Sequence, residues 1–165
     1  MRTGPAPAVA AAAAVLVAVV LQASVLARLP LPGGAPNLVL VLVVAVGLSG
    51  GASAGMATGF AAGLLSDVLS DHPLGVLALC LALTGFLAGL LEADIERTVL
   101  LPMVVVAVAT VGVYLAYLGL LGLLGRSMAG GIGELPGTAA YDVVLTPFVV
   151  PLVSAVARRL APSRR

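Results

Sequence analysis

Two serines stand in the Gly-x-Ser-x-Gly pattern that surrounds the nucleophile of many hydrolases. They are Ser49, within residues 47–51, and Ser53, within residues 51–55. A nucleophilic serine needs a base within about 3 Å, and the chain has a single histidine, His72. About 23 residues, or about 35 Å of helix, separate Ser49 from His72. We therefore expect no catalytic site and no enzymatic activity.

The chain also has too few suitable side chains to form a transition-metal or redox site. Transition-metal sites draw on several His, Cys or carboxylate side chains, and the chain has a single cysteine, Cys80. Cys80 lies in an apolar run, which favours a small buried side chain over a reactive thiol. We expect no metal, no disulfide and no cofactor. The remaining candidates are two acids inside apolar stretches, Asp67 and Asp142.

The elements that carry these residues must lie in a membrane. Of the 165 residues, 61% are apolar and 9% are charged, and the mean hydropathy is +1.22. Soluble domains have about 45–50% apolar and about 25% charged residues. The sequence predicts an all-α polytopic membrane bundle in which residues 1–165 form a single integral domain, with no separate soluble domain. Eight arginines and few aromatics form no basic stripe for nucleic acid.

Prolines, glycines and charges divide the chain into six apolar segments, which we predict to be transmembrane. They comprise residues 8–27, 37–48, 51–69, 74–91, 98–124 and 138–160. The second is only about 18 Å long against a hydrocarbon core of about 30 Å, so it is a short span or a re-entrant piece. The fifth, at about 40 Å, should tilt or protrude. The first has features of a signal peptide, and we expect it to be retained.

The arginines predict the orientation, because cytoplasmic loops carry an excess of basic residues. With six spans and a cytoplasmic N-terminus, Arg28 and Arg126 lie outside and the other six arginines inside. If the second segment is re-entrant and the N-terminus is outside, Arg2 and Arg28 exchange sides and the count is unchanged. The rule therefore places loop 92–97 and the arginine-rich tail in the cytoplasm and leaves the first segment open.

Glycines recur at every fourth position of the third segment and so lie along one face of a helix. In lipid, small residues let helix backbones approach closely. We predict a helix-packing ridge, with Gly85 and Gly89 on the fourth segment as its partner face. The ridge consists of Gly51, Gly55, Gly59 and Gly63.

Four residues beyond Gly63 the same face reaches Asp67, near the predicted outer end of the helix. Other polar residues should gather there, and we name the set the outer polar level. It comprises Gln22, Asn37, Asp67, Tyr141 and Asp142. Three roles are open for Asp67: a helix-end acid that is wetted or hydrogen-bonded within the bundle, a ligand or ion site, and a partner contact.

Two prolines predict a bend in the last helix. Pro147 and Pro151 remove backbone donors and should leave the carbonyl of Val143 without its helical partner. Thr146 can supply its hydroxyl to that carbonyl instead.

The stretch 36–42 (PNLVLVL), followed by 59–67 (GFAAGLLSD) and 73–75 (PLG), resembles the rod shape-determining protein MreD family. Gly85 and Gly89 belong to the same pattern, which covers about residues 36–91. The final helix is also similar, with Asp142 where the family pattern leads us to expect Asn.

The resemblance implies a non-catalytic, multi-pass protein of the cytoplasmic (inner) membrane, with both termini cytoplasmic, in the machinery that elongates the cell wall. The implied partner is an MreC-like bitopic membrane protein. Through it the chain would be linked to a transpeptidase and glycosyltransferase pair and to the actin-like MreB. A second resemblance, to the substrate-binding membrane subunits of vitamin transporters, supplies the alternative function. Such a site needs converging aromatic and polar side chains, and the chain has 3 Tyr, 3 Phe and no Trp.

Overall fold

The computed structural model describes residues 5–26, 31–70, 73–91, 100–125 and 132–160. These residues form six α-helices and no strand. The helices are α1 (Pro5–Ser24), α2 (Leu38–Gly50), α3 (Ala52–Val68), α4 (Val76–Leu90), α5 (Leu100–Leu123) and α6 (Leu135–Leu160). A short 3-10 turn, Ile132–Glu134, leads into α6. The all-α prediction is confirmed.

The helix ends follow the predicted breaks to within about three residues, as is usual for such boundaries. Of the described helices, α6 is the longest. It begins at Leu135, three residues earlier than predicted, because Pro136 lies in its first turn, where a proline is tolerated. The predicted loop 92–97 and six of the arginines lie outside the described residues. These arginines are Arg2, Arg28, Arg97, Arg126, Arg164 and Arg165.

In the described part of the chain, two helices are long and apolar enough to cross a membrane, namely α5 and the stretch Leu135–Arg159 of α6. Among the described residues, apolar stretches in α1, α2 and α4 are shorter. Helix length therefore supports membrane embedding without establishing six crossings. The exterior is apolar as well, since Phe60, Leu115 and Phe148 are 53%, 54% and 71% exposed. Patches of this kind are unfavourable in water and suit a lipid environment.

α2 is the central helix of the bundle. Val41, Val43 and Val44 are fully buried, and α2 packs against all five other helices. A helix that is apolar on every side is expected to be surrounded by protein or lipid. Here the surroundings are protein, and this explains how so short a helix is stably held.

Gly51 alone connects α2 to α3. Its φ of +83° lies in the left-handed region, where a side chain is strained. Gly47 and Gly55, each four residues from the turn, meet across it: a Cβ on Gly55 would lie 2.8 Å from the Gly47 Cα. The two helices are therefore a tight antiparallel hairpin.

Candidate functional site

Three of the ridge glycines lie directly against the backbone of α4. A Cβ built on Gly55 would overlap the carbonyl of Gly85, and one on Gly59 would overlap the carbonyl of Leu81. A Cβ on Gly63 would overlap the backbone of Ala78. Side chains cannot separate the two helices at these positions, so the backbones of α3 and α4 touch along the whole length of α3.

The glycines of α4 complete this contact from the other side. A Cβ on Gly85 would overlap the carbonyl of Gly55, and one on Gly89 would overlap the backbone of Ala52. Gly51 differs from the other ridge positions, because it forms the turn before α3 and has open space where a Cβ would stand. The ridge therefore lies inside the molecule and is occupied by α4.

Gly47 is a contact residue that the sequence analysis missed. A Cβ there would lie 2.7 Å from the carbonyl oxygen of Gly85, so α2 joins the contact between α3 and α4. The four-residue spacing of the ridge extends back to this position and was an available signal. It was obscured because Gly47 precedes the turn and belongs to another helix.

Asp142 of α6 is fully buried. Its Oδ1 accepts a hydrogen bond from the Asn37 amide at 2.6 Å, and its Oδ2 accepts one from the Thr110 hydroxyl at 2.9 Å. One carboxylate therefore ties α6 to the start of α2 and to α5. Thr110 was absent from the predicted set, although a hydroxyl in the middle of an apolar run is a visible signal.

Nearby side chains also accept hydrogen bonds from other backbone amides at the start of α2. Asn37 caps the helix by accepting from the Leu40 amide at 3.1 Å. Gln22 of α1 accepts from the Leu38 amide at 2.9 Å and donates to the Pro36 carbonyl at 2.8 Å. Because the first amides of a helix have no partner within it, these contacts satisfy groups that would otherwise be costly to bury.

Asp67 serves α4 in the same way. It is 1% exposed, and its Oδ2 accepts from the amides of Gly75 at 2.8 Å and Ala78 at 3.2 Å. Asp67 is thus an N-terminal cap supplied by the preceding helix, where negative charge is favoured by the helix dipole. Its Oδ1 is buried and has no hydrogen-bond partner among the described residues. Of the three roles proposed for Asp67, this geometry fits hydrogen bonding within the bundle.

The predicted level therefore consists of two separate groups. Gln22, Asn37 and Asp142 surround the start of α2, whereas Asp67 stands at the start of α4. Tyr141 donates its hydroxyl to the Pro32 carbonyl at 3.1 Å. A Cβ on Gly137 would overlap the carbonyl of Gly33, so the segment before α2 lies tightly on the first turns of α6.

Pro147 and Pro151 both lie inside α6, which continues without a break to Leu160. The predicted acceptor for Thr146 was wrong: its hydroxyl donates to the carbonyl of Asp142 at 2.8 Å. The physical reason is that a helical threonine reaches the carbonyl four residues back most readily. The bend itself stays a prediction.

The hydrolase pattern forms no catalytic pair in the described residues. Ser49 donates its hydroxyl to the Ala45 carbonyl at 2.7 Å, which is an ordinary helical contact. Ser53 is exposed, and His72 lies outside the described residues. The contacts described here join helices, and the buried acids hold helix ends.

An all-α bundle with an apolar exterior, membrane-length helices and buried acids that cap helices is a helical integral membrane protein. Comparison with protein families matches residues 6–159 to the family described as rod shape-determining protein MreD. The chain belongs to this family, and the resemblance first suggested by residues 36–91 extends over nearly the whole sequence. Comparisons with curated proteins and with solved structures gave no match.

Proposed function

We propose that the chain is a non-catalytic scaffold of the wall-elongation machinery that binds an MreC-like bitopic protein within the bilayer. Membership of the MreD family supports a role in rod-shape determination. The observation that carries the scaffold role is that both buried acids are engaged in capping neighbouring helices. Through its partner the chain is linked to the transpeptidase and glycosyltransferase pair and to MreB.

The proposal includes a topology in which all six segments cross the cytoplasmic membrane and both termini are cytoplasmic. Arg158 and Arg159 lie in the last turn of α6, at the opposite end from the outer polar level, and basic residues favour the cytoplasmic side. The central position of α2 supports a single membrane domain over residues 1–165.

The partner helix must pack on an outward face, because α4 occupies the glycine ridge. Exposed apolar positions lie on several helices, and we take one position on each of α4, α5 and α6 as candidates. Leu83 of α4, Leu115 of α5 and Phe148 of α6 are each more than half exposed. Packing there would use van der Waals contact, as is usual between helices in lipid.

The transporter alternative gains no support from the described surface. A groove of about 240 Å³ lies on the lipid-facing side of α3 and α4. Its lining consists of Met56, Leu79, Ala82, Leu83 and Phe86. These side chains offer no polar group to orient a vitamin, which such sites require.

Photocrosslinking tests the partner, with a crosslinking amino acid placed in turn at Leu83, Leu115 and Phe148. We expect a crosslink to an MreC-like protein from one of these faces. The same amino acid at Val41, which is 0% exposed, is the matched control and should give none.

Depletion in a rod-shaped host tests the function. We expect rounded, widened cells in which wall precursors are still made. Persistence of rod shape, together with no MreC-like crosslink at any outward position, would overturn the proposal and favour the transporter alternative.

A further inference from the structure

The lipid-facing helices differ in length by more than a third. At 1.5 Å per residue, α3 and α4 are about 26 and 22 Å long, whereas α5 and α6 are about 36 and 39 Å long. A typical hydrocarbon core is about 30 Å thick. One side of the molecule is thus shorter than the core and the other side is longer.

The extra length of α5 and α6 lies partly at the end of the bundle where α2 begins. Asp142, which bonds to the amide at the start of α2, comes seven residues after Leu135, the first residue of α6. Thr110, bonded to the same carboxylate, comes thirteen residues before Leu123, the last residue of α5. α6 and α5 therefore extend about 10 and 20 Å along their axes beyond the level at which α2 begins.

α3 and α4 stop at the level of α2. Gly47 of α2 meets Gly85 of α4, and nine residues separate each of them from the first residue of its helix, Leu38 or Val76. Both helices run antiparallel to α3, so they start at the same end. Asp67, in the last turn of α3, caps the start of α4 and fixes the end of α3 at that level too.

The part of α5 that extends beyond the start of α2 has an apolar surface. Leu115, Leu123 and Leu124 are 54%, 85% and 56% exposed; Leu123 is the last residue of α5 and Leu124 follows it. These leucines are stable in hydrocarbon and unfavourable in water. On the short side the exposed apolar residues of the described chain reach Leu69 after α3 and Leu74 before α4, which lie within two residues of the ends of these helices.

We propose that this protein thins the bilayer along the side formed by α3 and α4 and takes shorter acyl chains there than along α5 and α6. A bilayer adjusts its thickness to an apolar surface that is shorter than its core, at a cost that rises with each ångström of mismatch. Short acyl chains reduce the mismatch along α3 and α4, whereas along the longer α5 and α6 they increase it. The proposal rests on the six-span topology proposed above and on helix length, and it requires no bound partner.

The chain has no tryptophan, so single reporters can be introduced without background. Phe60→Trp reports on α3 and Phe148→Trp on α6. The two positions are matched in depth, since they lie seven and six residues from Asp67 and Asp142 respectively. Each variant is reconstituted in mixed bilayers of short-chain and long-chain phospholipids, with the short-chain or the long-chain species brominated to quench fluorescence.

We expect the short-chain preference at Phe60→Trp to exceed that at Phe148→Trp by about two- to fivefold. Leu83→Trp on α4 is a second reporter and should behave like Phe60→Trp. Equal preferences on the two sides, or a long-chain preference on the α3–α4 side, would overturn the proposal. The measurement uses purified protein and no partner, so its outcome is independent of MreC binding.

Discussion

At the scale of single residues, the buried acids Asp67 and Asp142 both accept hydrogen bonds from backbone amides at the start of another helix. Asp142 satisfies an amide of α2 and the hydroxyl of Thr110, and Asp67 satisfies two amides of α4. Each acid therefore lies where unpaired donors and the positive end of a helix dipole would otherwise be buried.

This role gives Asp142 a graded response to substitution. In Asp142→Asn the carboxamide oxygen can still accept from the Asn37 amide. Its NH₂ group can donate to Thr110, whose hydroxyl is both donor and acceptor. We expect a loss of about 1 kcal/mol or less in the free energy of unfolding. In Asp142→Leu both donors lose their acceptor, and we expect a loss of about 2–4 kcal/mol.

Reversible unfolding of the purified variants in mixed micelles measures this difference. Ser66→Ala is a control, because its hydroxyl bonds only back to the Ala62 carbonyl of its own helix. It should unfold like the unsubstituted protein. Equal losses for Asp142→Asn and Asp142→Leu would mean that the carboxylate does not hold α2.

The polar residues of the site could be found from the sequence because they interrupt apolar runs. Their partners could not be found in the same way. Asp67 bonds to Gly75 and Ala78, and although the predicted break between the two segments is only four residues long, the sequence does not show which amides the carboxylate reaches. The bond between Asp142 and Asn37 joins positions 105 residues apart and depends on the packing of three helices.

At the scale of helices, some glycines lie in tight contact with a neighbouring helix and others have open space beside them. Gly59 of α3 lies against the Leu81 carbonyl, whereas Gly112, Gly119 and Gly122 of α5 have open space where a Cβ would stand. The first kind allows backbone contact between helices. The second kind adds chain flexibility without any contact in the described structure.

The same substitution should therefore have opposite effects at two positions. Gly59→Ala forces α3 and α4 apart, and we expect a loss of about 1–3 kcal/mol in the free energy of unfolding. Gly112→Ala reduces the conformational freedom of the unfolded chain and should be neutral or stabilising by up to about 1 kcal/mol. Thermal unfolding in detergent compares the two variants. If Gly59→Ala proves as stable as Gly112→Ala, α3 and α4 do not pack through backbone contact.

The four-residue period of the ridge was sufficient to predict one glycine face on α3 and a partner face on α4. The period was insufficient to separate the turn residue Gly51 from the contact residues. It was also insufficient to place α2, whose valines and leucines are apolar in every direction. A sequence of this kind does not distinguish a helix surrounded by protein from one surrounded by lipid.

At the scale of the whole molecule, alternating apolar segments and breaks predicted the six helices and their order. Composition indicated a membrane location, in which backbone groups must be paired within the protein, and the positions of prolines, glycines and charges located the individual helices. The arrangement around α2 depends on contacts between distant segments, which a single sequence does not reveal.

Thiol labelling tests the proposed orientation at the two ends of α6. In a Cys80→Ala background, Gly133→Cys should be labelled in intact cells by an impermeant reagent, after permeabilising any outer membrane. Gly133 is exposed and has room for a side chain. Ser163→Cys, in the tail that follows α6, should be labelled only after lysis. Labelling of Ser163→Cys in intact cells would invert the proposed topology.

The bond between Asp142 and Asn37 also bears on how the protein is made. Synthesis proceeds from the N-terminus, and domains generally begin to fold in that order. Gln22 is present before α2 and can meet the Leu38 amide at once. The acceptor for the Asn37 amide arrives only with the last helix. A chain truncated before α6 therefore carries an unmet donor at its central helix, and its assembly is completed only when synthesis is nearly finished.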